Sequence, residues 1–354
     1  MRQIKFTSID KLSTTYQNIK NTSQFIGVDS KGFPVFDENI TLPKIKYRGT
    51  VKLHGTCAGV SQQGGNVVPL SKERVLTVEN DNDDFAAWVY SKEKEVWEKL
   101  FNEVKSCLPF DTEENTPITL FGEWCGKGIQ KKAAITKCER LFLIFAVRVG
   151  DDVDKGGKAI GWYPLDAFKN LKDESEMIYN SLMFENHIIT FDWNSPKEIQ
   201  NFVEEKTSTV NDNCPVSSFF NNEGIGEGLV WVPVDEKYLN NTRFWFKTKG
   251  ENHKQNKNGK DSDVDPLVLK DVKSVIDEYL VENRLERGIA HLKESGVYLL
   301  PENTRFFVEF IVNDVKKDAV EHIKNLDADE KTIKKAISNY SGRWYNKFLE
   351  ELEK

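Results

Sequence analysis

The feature that most constrains this chain is a change of character at the stretch ENHKQNKNGKDSDVD, residues Glu251 to Asp265. That stretch is polar, contains glycine and offers almost nothing to bury, so it reads as a linker or mobile loop. Before it, from Lys44 to about Lys249, the sequence reads mainly as strands with helices between them. KIKYRGTVKLHG alternates, and TPITLFGEW, LFLIFAVRV, GEGLVWVPV and TRFWFKTKG are short apolar or alternating runs. Within that region DDFAAWVYSKEKEVWEKLFNEVKSCL reads as one amphipathic helix. Its Phe85, Trp88, Val89, Val96, Leu100 and Val104 recur at helical spacing, and Asp83 or Asp84 is placed to cap its start. After the stretch, PLVLKDVKSVIDEYLVENRLERGIAHLKESG opens on Pro266 and ends near Gly296, which is helix punctuation at both ends. FFVEFIVNDVKKDAVEHIKNL and DEKTIKKAISNYSGRWYNKFLEELEK read as helical too. The expectation is an α+β body over residues 1–250, a linker over 251–265 and a small all-helical C-terminal domain over 266–354. A length of 354 residues suits two domains.

Composition narrows the function. The chain is 39% hydrophobic and 30% charged, ordinary for a soluble globular protein. Nothing approaches the run of about 18 apolar residues that a membrane span needs. The opening residues lack the apolar core of a secretory signal. Five scattered cysteines without a CxxC argue against a disulfide framework or a zinc site and suit a reducing, cytoplasmic setting. No internal repeat is present. The formal net charge of −7 matters most, because a protein that grips a phosphate backbone usually carries a basic surplus. A nucleic-acid substrate would require positive charge gathered in a cleft.

Five short segments could supply such a cleft: Lys52-Leu53-His54-Gly55-Thr56, Phe121-Gly122-Glu123-Trp124, Phe142 to Phe145, Glu227-Gly228-Leu229-Val230 and Lys247-Thr248-Lys249-Gly250. Lys52 ends a strand-like run and can present its amine to a ligand, while Gly55 permits close backbone approach. To act as a nucleophile that amine must be neutral, which calls for a pKa depressed by burial or by neighbouring cations. Lys247 and Lys249 share one strand face, where two ammonium groups call for an anion such as a polyphosphate. Glu123 and Glu227, each beside a glycine, could hold a ribose hydroxyl or hydrated magnesium. Phe142 or Phe145 could stack on a base. Taken singly each has a plain structural explanation: solvated strand-end lysines, carboxylates on sheet edges, phenylalanines in a core, a histidine bonded to its neighbours.

Taken in order, the five segments resemble the motifs of the covalent nucleotidyltransferase superfamily, which comprises ATP-dependent DNA ligases, RNA ligases and messenger-RNA capping enzymes. The resemblance runs from about Lys44 to Gly250. Lys52-Leu53-His54-Gly55 resembles the nucleotidyl-lysine motif, Phe121-Gly122-Glu123 motif III, Phe142 to Phe145 motif IIIa, Glu227-Gly228 motif IV and Lys247-Thr248-Lys249 motif V. DNA ligases and capping enzymes usually carry aspartate at the place of His54 and arginine at that of Cys57, and follow motif V with a β-barrel. Histidine at 54, Thr56 after the glycine and a helical tail are instead similar to the phage double-strand RNA ligase type. Cys57 departs from that group, where asparagine is usual. Pro69 to Arg74 resembles its basic motif Ia.

The resemblance implies an adenylation domain of antiparallel sheets with flanking helices. It implies an ATP-dependent RNA ligase using Mg2+, with Mn2+ as a substitute, that seals a 5′-phosphate to a 3′-hydroxyl in nicked or broken RNA. Lys52 would carry AMP, with Lys247 and Lys249 neutralising phosphate charge. Val51, His54, Gly55, Glu123, Phe145 and Glu227 would hold the nucleotide: Glu123 at the ribose, Phe145 on adenine, Glu227 at the metal. Lys72 or Arg74 would contact substrate phosphate, and Lys127 to Lys132 could form a basic rim. The alternatives are a DNA ligase or capping-type nucleotidyltransferase, and a nucleotide- or RNA-binding protein that has lost catalysis.

Overall fold

The computed structural model describes residues 1–28, 34–109, 112, 115–151, 161–253, 266–324, 326 and 329–352. Numbered along the chain, its strands are β1 (Asp10–Lys11), β2 (Phe25–Val28), β3 (Pro34–Phe36), β4 (Lys44–Lys52), β5 (Thr56–Gln63), β6 (Asn66–Ser71), β7 (Ile118–Cys125), β8 (Leu141–Val149), β9 (Gly161–Tyr163), β10 (Ile178–Asn180), β11 (Asn186–Asp192), β12 (Gly228–Pro233) and β13 (Phe246–Lys249). One sheet has the order β1-β13-β12-β4-β11 and a second β10-β8-β7-β5-β6, with β9 on β8, while β2 and β3 form a separate pair. The pairings are antiparallel except β1 with β13 and β10 with β8, which are parallel. Only Leu53, His54 and Gly55 separate β4 in the first sheet from β5 in the second.

Period-two alternation sets the faces of β4. Ile45, Tyr47 and Val51 enter the core of the first sheet, which continues through Trp193, Val203, Trp231 and Phe246. Arg48, Thr50 and Lys52 take the other face. A second core, built on Trp97, Leu100, Phe101, Leu120, Trp124 and Phe142, lies between the second sheet and its helices. A third joins Phe6, Leu70, Phe121, Trp162 and Trp245 from both sheets and the N-terminal segment.

The helix expected from Phe85 to Val104 is two, α2 (Phe85–Tyr90) and α3 (Lys94–Cys107), in chain order after α1 (Leu12–Gln24). Glu93 is extended and breaks the run, and the indole of Trp97 donates to the carbonyl of Val89 across the gap. Nor does Asp83 or Asp84 cap α2 with its side chain. Both adopt the left-handed conformation that aspartate tolerates, and Asp81 accepts the backbone N–H groups of Ala86 and Ala87 at 2.7 and 2.9 Å.

The chain divides into two compact units, Met1–Asp261 and Ser262–Lys354. In the first unit the second half supplies α4 (Pro196–Asp212), α5 (Pro215–Phe219) and α6 (Glu236–Leu239). Of the expected linker, Glu251–His253 forms a short 3-10 turn, and residues 254–265 lie outside the described residues. The second unit is helical: α7 (Pro266–Tyr279), α8 (Glu282–Glu294), α9 (Thr304–Asp318), α10 (Val320–Lys324) and α11 (Glu330–Leu352). The first tail segment is thus two helices, broken at extended Val281, and Gly296 takes φ +71° just past α8. Leu285, Ile289, Phe307, Ile311, Ile333 and Tyr345 close its own core. Among the described residues no helix is long and apolar enough to cross a membrane.

Candidate active site

Sheet register brings the first elements of the site together. Gly228 on β12 pairs with Lys52 on one side and Lys249 on the other. Glu227 therefore enters the sheet between two lysines. Gly228 has φ +151°, and a Cβ there would lie 2.1 Å from the Thr248 carbonyl oxygen, so no other residue fits without moving β13. Glu227 is only 3% exposed. Its Oε2 accepts from Lys52 Nζ at 2.9 Å and lies 3.4 Å from His54 Nδ1, while Oε1 accepts from Lys249 Nζ at 2.8 Å. Burial disfavours its charge, but the His54 bond, the Lys52 charge and the lysine bonds outweigh this and hold the carboxyl well below its usual range.

Lys52 behaves differently from the sequence-based expectation. Burial pulls its pKa down, yet the carboxylates of Glu123 and Glu227 more than offset that, and the net shift is upward. The protein's own residues hold this amine as an ammonium. Glu123, on β7, accepts the Gly55 N–H at 3.0 Å. Burial raises its pKa above the ordinary value, against the opposing pull of Lys52. A Cβ on Gly55 would lie 2.3 Å from the Trp124 carbonyl oxygen, so the loop between the sheets closes on β7 only with glycine there.

A cavity of about 270 Å³ opens beside Lys52. Phe145 and Leu143 of β8 line it together with Val230 and Val232 of β12, and between those apolar side chains a flat base could lie. Phe142 is fully buried against Phe85 and Trp88, so of the two candidate phenylalanines Phe145 is the one at the cavity. Val51, Glu123, Cys57, Lys72 and Lys247 also line it. Burial and then the charges of Lys249, Lys52 and Lys72 lower the pKa of Lys247, which marks this end as strongly cationic. Lys72 donates to Ser8 Oγ at 3.1 Å. Arg74 is not in the lining: its guanidinium donates to the carbonyls of Asn80 and Asp81 and braces the loop before α2. Lys127 to Lys132 do not line the cavity either; Lys127 pairs with Glu139 and Lys131 and Lys132 are exposed. Gathered cations also answer the difficulty posed by the net charge.

Two groups of residues at the site carry no sequence signal. Phe6, Thr7 and Ile9 close one wall, with Phe6 edge-on to Phe145 at 5.2 Å. His253 sets its ring 5.0 Å from that of His54. Val230 and Val232 could have been found, because strand alternation puts both on the face of Gly228.

A family model described as RNA ligase matches residues 45–249, more than half of the chain. The chain belongs to the RNA ligase family. No curated protein sequence matches it. Among solved structures it is similar to a Naegleria gruberi RNA ligase variant with AMP and Mn, at 17% identity and a TM-score of 0.41. A variant of that ligase with ATP and Mn is 18% identical with a TM-score of 0.41, and the ligase with pyrophosphate is 17% identical with a TM-score of 0.40. Each match covers 70% of this chain and 56% of the other, so this member of the RNA ligase family spans little more than half the length of those ligases.

Proposed function

We propose that the chain is an ATP-dependent RNA ligase that carries AMP on Lys52. The observation that supports this most is that Lys52, bonded to Glu227 together with Lys249, itself lines a cavity whose walls include Phe145, Val230, Val232 and Lys247, in a chain of the RNA ligase family. Adenine would lie between Phe145 and the valines, with the ribose hydroxyls at Glu123. The Lys52 amine, having lost a proton, attacks the α-phosphorus. A P–N bond forms, the α–β bridging P–O bond breaks, and pyrophosphate leaves. Lys247 and Lys249 stabilise the charge that builds on the phosphate oxygens. AMP then passes to an RNA 5′-phosphate, and a 3′-hydroxyl displaces it. Lys72, which unlike Arg74 lines the cavity, would meet the 5′-phosphate.

Among the described residues no group of three or more His, Cys, Asp and Glu is arranged to hold a metal ion. Both oxygens of Glu227 are taken by Lys52 and Lys249, so hydrated magnesium would be held by the substrate phosphates and its own waters, and would reach Glu227 only where a lysine lets go of it. When bound there the ion supplies positive charge that neutralises the phosphates. Lys52 needs such help, because Glu123 and Glu227 keep it protonated. Engaging Glu227 elsewhere removes part of that hold.

Intact mass after incubation with ATP and magnesium tests the reading. Wild type should gain one AMP and Lys52→Ala none. Faster sealing of nicked RNA than of nicked DNA should follow. An adduct with GTP and not ATP would indicate capping chemistry. No adduct in folded protein freed of bound AMP would overturn the enzyme reading.

A further inference from the structure

Thr50 has no part in the chemistry above, yet its side chain belongs to the same cavity. It lies two residues before Lys52 on β4, so it shares the face of Lys52 about 7 Å further along the strand. Sheet register fixes its neighbours. Lys52, Gly228 and Lys249 form one row across the sheet, Thr50, Val230 and Lys247 the next, and Arg48 with Val232 begins a third. The short side chains of Val230 and Val232 leave a floor on which a base can lie under Phe145, with Thr50 beside it.

Thr50 is only 9% exposed and lines the cavity. Its hydroxyl has no hydrogen-bond partner among the described residues, and it is not one of the side-chain atoms sealed from solvent. A second cavity of about 30 Å³, room for at least one water, adjoins the first across Thr50, Phe145, Val232 and Trp245. Arg48 also lines this second cavity, and Asp166 and Asn186 take three of its five N–H groups. Beyond its apolar floor the base slot is therefore polar. A purine held between Phe145 and the valines buries ring nitrogens and, in adenine, an amino group, and leaving these unpaired is costly. Phe145, Leu143, Val230 and Val232 have no side-chain group to pair with them. A hydroxyl can donate to a ring nitrogen or accept from the amino group, so Thr50 suits either.

We propose that Thr50 is a nucleobase-binding residue: its hydroxyl makes a hydrogen bond with the edge of the adenine held under Phe145. The inference rests on the ligase reading above and deepens it. Calorimetric titration of the full-length protein, freed of bound AMP, tests it without turnover, with AMP as one probe and ribose 5-phosphate, which lacks the base, as the other. Thr50→Val keeps the shape and removes the hydroxyl. It should bind AMP about three- to tenfold more weakly than wild type, the usual effect of losing one hydrogen bond. Its affinity for ribose 5-phosphate and its melting temperature should stay unchanged. Thr50→Ser, which restores the hydroxyl, should recover most of the loss. Equal AMP affinity in wild type and Thr50→Val would overturn the proposal, as would an equal loss for AMP and ribose 5-phosphate. The two readings fail differently. Wild type that neither binds AMP nor gains it from ATP brings down the ligase reading and this inference with it, whereas wild type that does both beside an unaffected Thr50→Val brings down this inference alone.

Discussion

Glu227 satisfies Lys52, His54 and Lys249 with two oxygens, so its charge matters more than its shape. Glu227→Gln keeps the volume and removes the charge. The single-turnover rate of AMP transfer to Lys52 should fall by about a hundredfold or more, with the fold retained by circular dichroism. Cys57 gives a pH prediction. Burial, then Glu123, pushes its thiol up to about 12. At pH 8 only about one molecule in ten thousand would carry the thiolate. Alkylation of Cys57, read by peptide mass spectrometry, should therefore climb tenfold per pH unit from pH 7 to 10; a plateau near pH 9 would contradict the assignment. The linkage has a definite sign. The folded thiol stays protonated while the unfolded one ionises above pH 9, so this group's contribution to stability is complete below pH 9 and shrinks as pH rises towards 12. At this scale the candidate site was legible through the resemblance of five ordered segments to nucleotidyltransferase motifs, since the residue chemistry alone left each of them a plain structural explanation. Phe142 and Phe145 show where legibility stops. Three apart on a strand, they must face opposite ways, but the sequence does not say which way the cavity lies.

Elements were legible where one period ran unbroken. β4, β8, β12 and β13 fall within the runs that predicted them and β7 runs one residue past its own, to Cys125, although Thr242–Phe244 is a turn and not strand. The errors sit where a side chain reaches outside its own period. α2 and α3 share one helical stripe, yet the chain breaks between them, and the cap comes from Asp81, which precedes both expected candidates. Asp81→Ala should accordingly destabilise the protein by about 1–2 kcal/mol in denaturant unfolding. Asp84→Asn, which keeps a residue that tolerates the left-handed conformation, weakens only an exposed pairing with Arg140 and should cost less than about 0.5 kcal/mol. Phe6, Thr7, Ile9 and His253 were illegible for a related reason: irregular segments with no periodicity reach the site only through tertiary packing.

At the scale of the molecule, every residue assigned to AMP transfer lies in Met1–Asp261, and each of the two units closes its own core. A protein ending at Asp261 should still take up AMP from ATP, within about tenfold of the full chain, while sealing nicked RNA more slowly; loss of the adduct in a folded truncation would move part of the first step to the helical unit. The passage of Leu53, His54 and Gly55 from one sheet to the other has a mechanical consequence. A rigid plate on each side and three residues between them make a short tether, with Lys52 fixed at one end and the Gly55–Glu123 bond at the other. Widening the cleft would load that tether, so the amine proposed to carry AMP sits where a change in the spacing of the two sheets is felt.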